Sequence, residues 1–184
     1  VHLLNGLYDA KFDHAPVIAV TGLPYHDLDN TFTQQDVDHT RLFADVAAYT
    51  ARVMSAAHVE NTVALACRTA LTRRGVGHVA LPVDVQEQAL EAAERSPRNV
   101  AHHASLAQAD ALRVPPDEDL DAAADVLDRA QRVAILAGQG ALGARRELLD
   151  TAERLGAPIV KALLGKALVA DDHPFTTGDI GLLG

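Results

Sequence analysis

The sequence predicts an α/β fold built from parallel-sheet βαβ units. Short apolar runs alternate with helical segments, and the clearest runs cover residues 15–22, 78–83, 132–137 and 159–164. Such runs suit strands that are buried on both faces, as in parallel sheets covered by helices. The strongest unit covers residues 132–164, where a strand, a glycine-rich turn, a helix and a second strand follow in order.

The composition is that of a globular protein. Of the 184 residues, 48% are apolar and 22% are charged, which is close to average and sufficient for a packed core. The formal net charge of −9 argues against a surface built to bind nucleic acid. The single cysteine allows no internal disulfide, and no leader signature or long apolar run is apparent, so a cytoplasmic protein is predicted.

The chain opens with a predicted helix over residues 2–12 and a buried strand over residues 15–22. The strand is followed by a segment, residues 23–39, that is rich in Asp, Asn, Thr, Gln and His. Loops in this place commonly carry ligand contacts in open α/β sheets. We therefore expect functional side chains between residues 23 and 39.

Two helices and a strand are predicted after this loop. Apolar residues at helical spacing predict a helix over residues 41–54, with Asp38 or Thr40 as its cap. A second helix is predicted over residues 60–74 and a buried strand over residues 78–83. A strand, helices and a strand in this order favour parallel pairing through a right-handed crossover.

The second half of the chain repeats the alternation. Residues 94–116 contain three prolines and no sustained period, which predicts a linker. An acidic-first helix over residues 117–130 then precedes a strand over residues 132–137, a helix over residues 144–155 and a strand over residues 159–164. This order predicts a complete βαβ unit.

A glycine-rich turn joins the strand and helix of that unit. Gly138, Gly140 and Gly143 satisfy G-x-G-x-x-G, a pattern that lets a backbone approach a diphosphate at a helix N-terminus. An NAD site would also need an acidic residue after the next strand, but that strand ends near Lys161 and no acid follows before Asp171. The lysine could serve the phosphorylated ribose of NADP. A structural turn, a dinucleotide site and another phosphate site all remain open.

The two ends of the chain carry few boundary signals. Residue 1 is Val, and residues 178–184 close no predicted helix or strand. A fragment of a longer chain is therefore expected, with a complete small domain as the alternative.

Several segments, taken together in their order and spacing, resemble thiamine-diphosphate enzymes of the pyruvate oxidase, pyruvate:quinone dehydrogenase and acetolactate synthase group. The segments that carry the resemblance are HLLNGLYDA (2–10), the strand 16–22, QDVD (35–38), LFADV (42–46), HVALPVD (78–84), GKALV (165–169) and HP (173–174). The resemblance implies the C-terminal half of a pyrimidine-binding domain over residues 1–93 and a linker over residues 94–116. It also implies the N-terminal part of a Rossmann-like, FAD-binding-like central domain over residues 117–184.

The resemblance implies a piece of an enzyme that decarboxylates a 2-keto acid, in particular pyruvate, with thiamine diphosphate and Mg²⁺. In the family, the activating Glu lies upstream of this segment and the G-D-G…N motif for Mg²⁺ and diphosphate lies downstream, so the chain is expected to be inert alone. The implied partners are a second subunit, as homodimer or homotetramer, and a peripheral membrane or quinone contact of the parent. The alternatives are an acetolactate synthase-like carboligase and a non-catalytic dinucleotide-binding module.

Site residues follow from the same resemblance. Gln35 matches the family's glutamine that approaches the thiazolium from the opposing subunit, whereas Gln34 stands where relatives often have Phe. No metal ligand is implied within this segment. Lys166 matches a family lysine, and pairing with Asp171 or Asp172 is the alternative. The implied FAD-binding positions are Gly138, Gln139, Gly140, Ala162, Leu163, Leu164, Lys166, Gly181, Leu182 and Leu183.

Overall fold

The computed structural model describes residues 1–89, 95–100 and 114–181. The chain divides into two compact units, residues 1–110 and 111–184. Each unit contains a three-stranded sheet in which all strand pairs are parallel, which confirms the predicted α/β class. Among the helices of the described ranges, none combines the length and the apolar character that a bilayer span needs.

The first unit is built around a parallel sheet with the strand order β1, β3, β2. Its elements are α1 (Leu3–Phe12), β1 (Val17–Leu23), α2 (His39–Leu42), β2 (Ala47–Arg52), α3 (Ala56–Arg73), β3 (Val76–Pro82) and α4 (Val83–Gln86). The predicted parallel pairing of the first strand with the strand after the helices is confirmed, because β1 pairs with β3. Since all three strands are parallel, their carboxyl ends meet at one edge of the sheet, and residues there lie close together.

Helix α3 packs closely on the central strand β3. The contact depends on Gly77, where a Cβ atom would lie 2.7 Å from the carbonyl oxygen of Ala66 and 3.0 Å from Cδ1 of Ile18. Strand β3 is buried continuously from Val76 to Ala80. This burial explains why its sequence is an apolar run rather than an alternating one.

The helix predicted over residues 41–54 is wrong. Only the single turn of α2 is helical, and residues 47–52 form β2, which pairs with β3. The apolar spacing that suggested one helix belongs to separate elements, because Phe43 and Val46 are buried in the turn before β2 and Val53 is buried after it. Strand pairing and the β preference of Tyr49 and Thr50 outweigh the local helical pattern.

Helix α3 is longer at its start than the predicted 60–74. It begins at Ala56, where the buried methyl group of this residue joins the packed interior, and it ends at Arg73. The chain leaves the helix through Arg74, whose φ of 48° is left-handed, rather than through the following glycine. Strand β3 correspondingly starts at Val76, two residues before the prediction.

Most of the predicted linker, residues 94–116, lies outside the described residues. Residues 95–100 and 114–116 of it are described, and the first of these stretches contacts α3 in the first unit. Asn61 Nδ2 donates a hydrogen bond to Asn99 Oδ1 at 2.7 Å, and Arg95 forms an ion pair with Glu60. These polar contacts attach the start of the segment to α3.

The second unit has its own parallel sheet, in the order β4, β5, β6. Its elements are α5 (Asp117–Arg129), β4 (Ile135–Ala137), α6 (Arg145–Leu155), β5 (Ile159–Ala162) and β6 (Thr176–Ile180). The predicted βαβ unit is confirmed, since β4 and β5 pair in parallel and α6 connects them. Both strands are shorter than predicted, because residues 132–134 and 163–164 lie outside the ladder.

Strand β6 is missing from the sequence-based prediction. Its five residues, TTGDI, contain one large apolar side chain and a glycine, so they give no apolar period. The strand forms because β5 offers it a parallel edge, with register pairs such as Lys161 with Asp179. Pairing with β5 therefore makes this segment a strand, and its own side chains do not.

Candidate functional site

The polar loop after β1 lies at the carboxyl edge of the first sheet, as predicted. Gln34 and Gln35 are both exposed near its end, and Gln35 has a left-handed φ of 67°. Such a backbone is uncommon for a residue other than glycine and persists only when neighbouring contacts hold it. Phe32, with 98% of its surface exposed, lies in the same loop. The loop thus exposes amide and aromatic groups to solvent.

The carboxylate of Asp36 braces this loop internally. Its Oδ1 accepts a hydrogen bond from the amide of Asn30 at 3.1 Å, and its Oδ2 accepts one from the amide of Phe32 at 2.9 Å. Both of these donors belong to residues with left-handed φ, 60° for Asn30 and 61° for Phe32. One side chain therefore holds the left-handed backbone five and three residues before Gln35.

One ion pair and one hydrogen-bonded histidine–aspartate pair tie the loop to the carboxyl ends of the neighbouring strands. Arg52, the last residue of β2, pairs with Asp29. Asp84 lies two residues after β3. Its carboxylate accepts one hydrogen bond from Nδ1 of His26 at 2.5 Å and one from the backbone amide of His26 at 3.0 Å. Partial burial tends to raise the pKa of Asp84, but the hydrogen bonds from His26 outweigh it and keep the pKa below its ordinary value.

Arg52 lies between two small cavities at this edge, each of about 110 Å³. Its Nε is buried and has no hydrogen-bond partner in the described part of the chain, although its terminal nitrogen is paired with Asp29. A guanidinium with an unused buried donor at the carboxyl edge can receive an acceptor group. The sequence-based prediction missed Arg52, because it placed this residue on a helix.

A chain of polar side chains, one buried and three half-buried, joins the strands to α2, and we call Thr50, His78, Thr21 and His39 the histidine chain. His78 is fully buried in β3, and its Nδ1 lies 2.7 Å from Thr50 Oγ1 while its Nε2 lies 2.9 Å from Thr21 Oγ1. His39 Nδ1 lies 2.8 Å from the same Thr21 oxygen. The registers explain the arrangement, since His78 pairs directly with Thr50 and lies two residues from the position opposite Thr21.

Burial keeps the histidine chain uncharged at neutral pH. It lowers the pKa of His78 to about 4, with a smaller contribution from the neighbouring His39, and it also lowers the pKa of His39. The sequence-based prediction missed these residues. The available signal was a histidine inside the apolar run of β3, where a buried polar group needs partners on adjacent strands.

In the second unit the glycine turn follows β4 at the carboxyl edge of the sheet, as predicted. Gly138 precedes a single 3₁₀ turn, Gln139–Ala141, and α6 begins soon afterwards. A Cβ atom built on Gly138 or Gly140 would meet no atom within 4 Å. The space beside the turn is therefore open, as a bound diphosphate or extended cofactor requires.

Close packing at Gly165 brings a second predicted segment against this turn. A Cβ atom there would lie 2.5 Å from the carbonyl oxygen of Ala137 and 3.0 Å from Cα of Gly138. The 3₁₀ segment Leu163–Leu168 is thereby held beside the glycine turn, with Leu163 and Leu164 exposed. The predicted positions on these two segments are thus adjacent.

The remaining predicted FAD positions are only partly described. Ala162 ends β5, directly before the 3₁₀ segment, and Gly181 is exposed after β6. Leu182 and Leu183 lie outside the described residues.

The lysines of this unit are engaged in ion pairs. Lys161 is fully buried; it pairs with Asp171 and Asp179 and also donates to the carbonyl of Val169 at 3.0 Å. The hydrogen bond to Asp171 raises the pKa of Lys161 despite its burial. Lys166 Nζ lies 3.2 Å from Asp179 Oδ2. Its partner is thus Asp179 and not Asp171 or Asp172, which the alternative interpretation of this lysine had named.

These ion pairs affect the NADP and FAD alternatives differently. A buried, paired Lys161 is not available to a ribose phosphate, which argues against the NADP alternative. Lys166 has 65% of its side chain exposed and remains accessible. Across the described ranges, no group of three or more His, Cys, Asp or Glu residues is arranged to hold a metal ion.

Comparisons with known proteins give a family match and several relatives. Residues 120–184 match the family described as "Thiamine pyrophosphate enzyme, central domain". The chain is 36% identical over its whole length to YdaP of Bacillus subtilis, which is named as a thiamine pyrophosphate-containing protein, and covers 31% of that protein.

Two further relatives carry names with a stated activity. A pyruvate oxidase of Lactiplantibacillus plantarum is 32% identical over 96% of the chain and 28% of the relative. A Methanococcus aeolicus protein named as an acetolactate synthase large subunit is 28% identical over 100% of the chain and 31% of the relative. The chain thus spans about a third of the length of these curated relatives. The family match and the names of these relatives support a fragment of a thiamine pyrophosphate enzyme.

Proposed function

We propose that the chain is part of an enzyme that decarboxylates a 2-keto acid, pyruvate in particular, with thiamine diphosphate and Mg²⁺. The observation that carries this proposal is the braced loop at the carboxyl edge of the first sheet, which presents Gln35 where open α/β sheets bind their ligands. Thiamine diphosphate, when bound, supplies an electron sink for the loss of carbon dioxide. The names of the pyruvate oxidase and acetolactate synthase relatives support this class of reaction.

In this proposal Gln35 acts through its side-chain amide. An exposed carboxamide has two N–H donors and one carbonyl acceptor, so it can orient a keto acid or hold the neighbouring cofactor ring. The Asp36 brace fixes the backbone from which the amide projects. Because Gln35 is exposed in its own unit, we propose that its amide works in a site completed by a second subunit of a homodimer or homotetramer.

We propose FAD as the ligand of the second unit. The open space at Gly138 and Gly140 fits an approaching diphosphate, and exposed Lys166 supplies positive charge nearby. The adjacent Leu163 and Leu164 offer exposed apolar surface to a flavin. Lys166 is held in place by Asp179, whose pKa is lowered chiefly by the hydrogen bond from that lysine.

The flavin proposal predicts an effect of Gly140→Val. The open space at Gly140 accepts the larger side chain, so the free energy of unfolding should change by less than about 1 kcal/mol, while the filled space should weaken FAD binding about tenfold or more. Quenching of flavin fluorescence on titration of the protein measures the binding. A response to NADP with none to FAD would contradict the proposal and favour the non-catalytic dinucleotide module.

The catalytic proposal predicts that Gln35→Ala lowers turnover of the full-length enzyme far more than it weakens FAD binding. A loss of about 10²-fold in kcat is expected if the amide contacts the reacting groups, with FAD affinity unchanged because the flavin positions lie in the other unit. Gln131→Ala is the control: this glutamine is exposed, lies in the second unit and is not one of the proposed flavin positions. Equal losses of turnover and FAD affinity would indicate misfolding and oppose the role.

The acetolactate synthase relative favours a second candidate, a carboligase that joins the decarboxylated unit to another keto acid. Assays with pyruvate as the sole keto acid, with and without an electron acceptor, distinguish the two candidates. Acetolactate formation without an electron acceptor supports the carboligase, whereas turnover that depends on oxygen or a quinone supports the oxidase or dehydrogenase. In the quinone case, we propose a peripheral membrane contact of the whole enzyme.

A further inference from the structure

The loop that carries Gln35 returns to the sheet through α2, which has only four residues. A helix of one turn is marginal on its own, so side chains must hold it in place. His39 at its start lies against Thr21 Oγ1, and the ring of Phe43 just after its end stacks on the ring of His78 at 4.0 Å between centroids. Both ends of the short helix therefore contact residues of the histidine chain.

The hydrogen bonds of the histidine chain are coupled through Thr21. This hydroxyl has a single proton and lies within hydrogen-bond distance of two imidazole nitrogens, Nδ1 of His39 and Nε2 of His78. When both rings are neutral, one nitrogen accepts that proton and the other must donate to the oxygen. The position of His39 thus depends on a chain of bonds that reaches the centre of the sheet.

We propose that the histidine chain is a positioning device, in which Thr21 fixes His39 and thereby sets where the Gln35 loop returns to the sheet. This inference rests on the proposed function for the importance of Gln35. The contacts of the histidine chain, however, lie within the first unit and need no cofactor. Thr50, on β2, hydrogen-bonds to the other nitrogen of the His78 ring, and the described residues show no hydrogen bond between Thr50 and His39.

A matched pair of substitutions tests the role. Thr21→Val and Thr50→Val each remove one half-buried hydroxyl with little change in shape, and each leaves His78 short of one partner. Only Thr21→Val also releases His39. We expect hydrogen exchange at the amides of Asn30, Phe32 and Asp36 to become about tenfold faster in Thr21→Val and to stay within about twofold in Thr50→Val.

Nuclear magnetic resonance of the imidazole ring protons gives a second readout. Thr21→Val should shift the signals of both His39 and His78, whereas Thr50→Val should shift that of His78 with little change at His39. Thr21→Ser, which restores the hydroxyl, should return loop exchange and both signals toward the original values.

Two outcomes would overturn the proposal. Equal acceleration of loop exchange in both valine variants would mean that only general stability matters, and no acceleration in Thr21→Val would mean that the loop holds itself. Because exchange is measured on the protein without cofactor or substrate, failure here leaves the Gln35 turnover test unaffected. Conversely, a silent Gln35→Ala variant would leave the exchange result standing.

Discussion

Gly165→Ala is expected to destabilise the second unit by about 3 kcal/mol, at the upper end of the usual cost of overpacking. The new methyl group would lie 2.5 Å from the carbonyl oxygen of Ala137 and 3.0 Å from Cα of Gly138. Both of these are backbone atoms, which cannot move aside as the end of a flexible side chain can. Relief therefore requires the 3₁₀ segment to separate from the glycine turn, which would also disrupt the proposed flavin site. Urea unfolding and hydrogen exchange in β5 measure the effect.

Gly140→Ala is the matched control for this prediction. A Cβ atom at Gly140 meets nothing within 4 Å, so the change should alter the free energy of unfolding by less than about 0.5 kcal/mol. If Gly165→Ala proved as mild as this control, close packing between the two segments would not be what holds them together.

The stability of the first unit is expected to fall by about 2 kcal/mol between pH 7 and pH 5 because of His78. Burial lowers the pKa of this ring in the folded protein to about 4, against an ordinary value of 6.5. As the pH falls through 6.5, the unfolded chain binds a proton that the folded protein does not. The contribution is thus fully present above pH 6.5 and is lost progressively toward pH 4. Urea unfolding at several pH values measures the slope.

His78→Gln should flatten this pH dependence, leaving the smaller part that comes from His39. The pH window separates the effect from the carboxylates, because Asp45, Asp84 and Asp179 have lowered pKa values and lose their contributions below pH 4. An unchanged slope in His78→Gln would show that this histidine does not titrate as its burial requires.

Much of the second unit can be predicted from local sequence. The run around Ile135, the glycine turn at Gly138, the helix and the run around Ile159 are successive elements of one βαβ unit. Each is specified by apolar period and by turn residues within a short window, so no distant contact is needed to recognise it. The same holds for the polar loop around Gln35, whose composition marks it as the place for ligand contacts.

The sequence by itself determined the parallel α/β class and the segments that carry the candidate sites. Only the tertiary structure decided β2, β6 and the histidine chain. Residues 47–52 and Thr176–Ile180 become strands because a neighbouring strand, β3 or β5, pairs with them. Their own side chains do not indicate this pairing. His78 stays neutral because packing of the sheet buries it, and strand register supplies Thr50 and Thr21 as its hydrogen-bond partners. Register is set by the packing of whole elements, and a local window does not contain it.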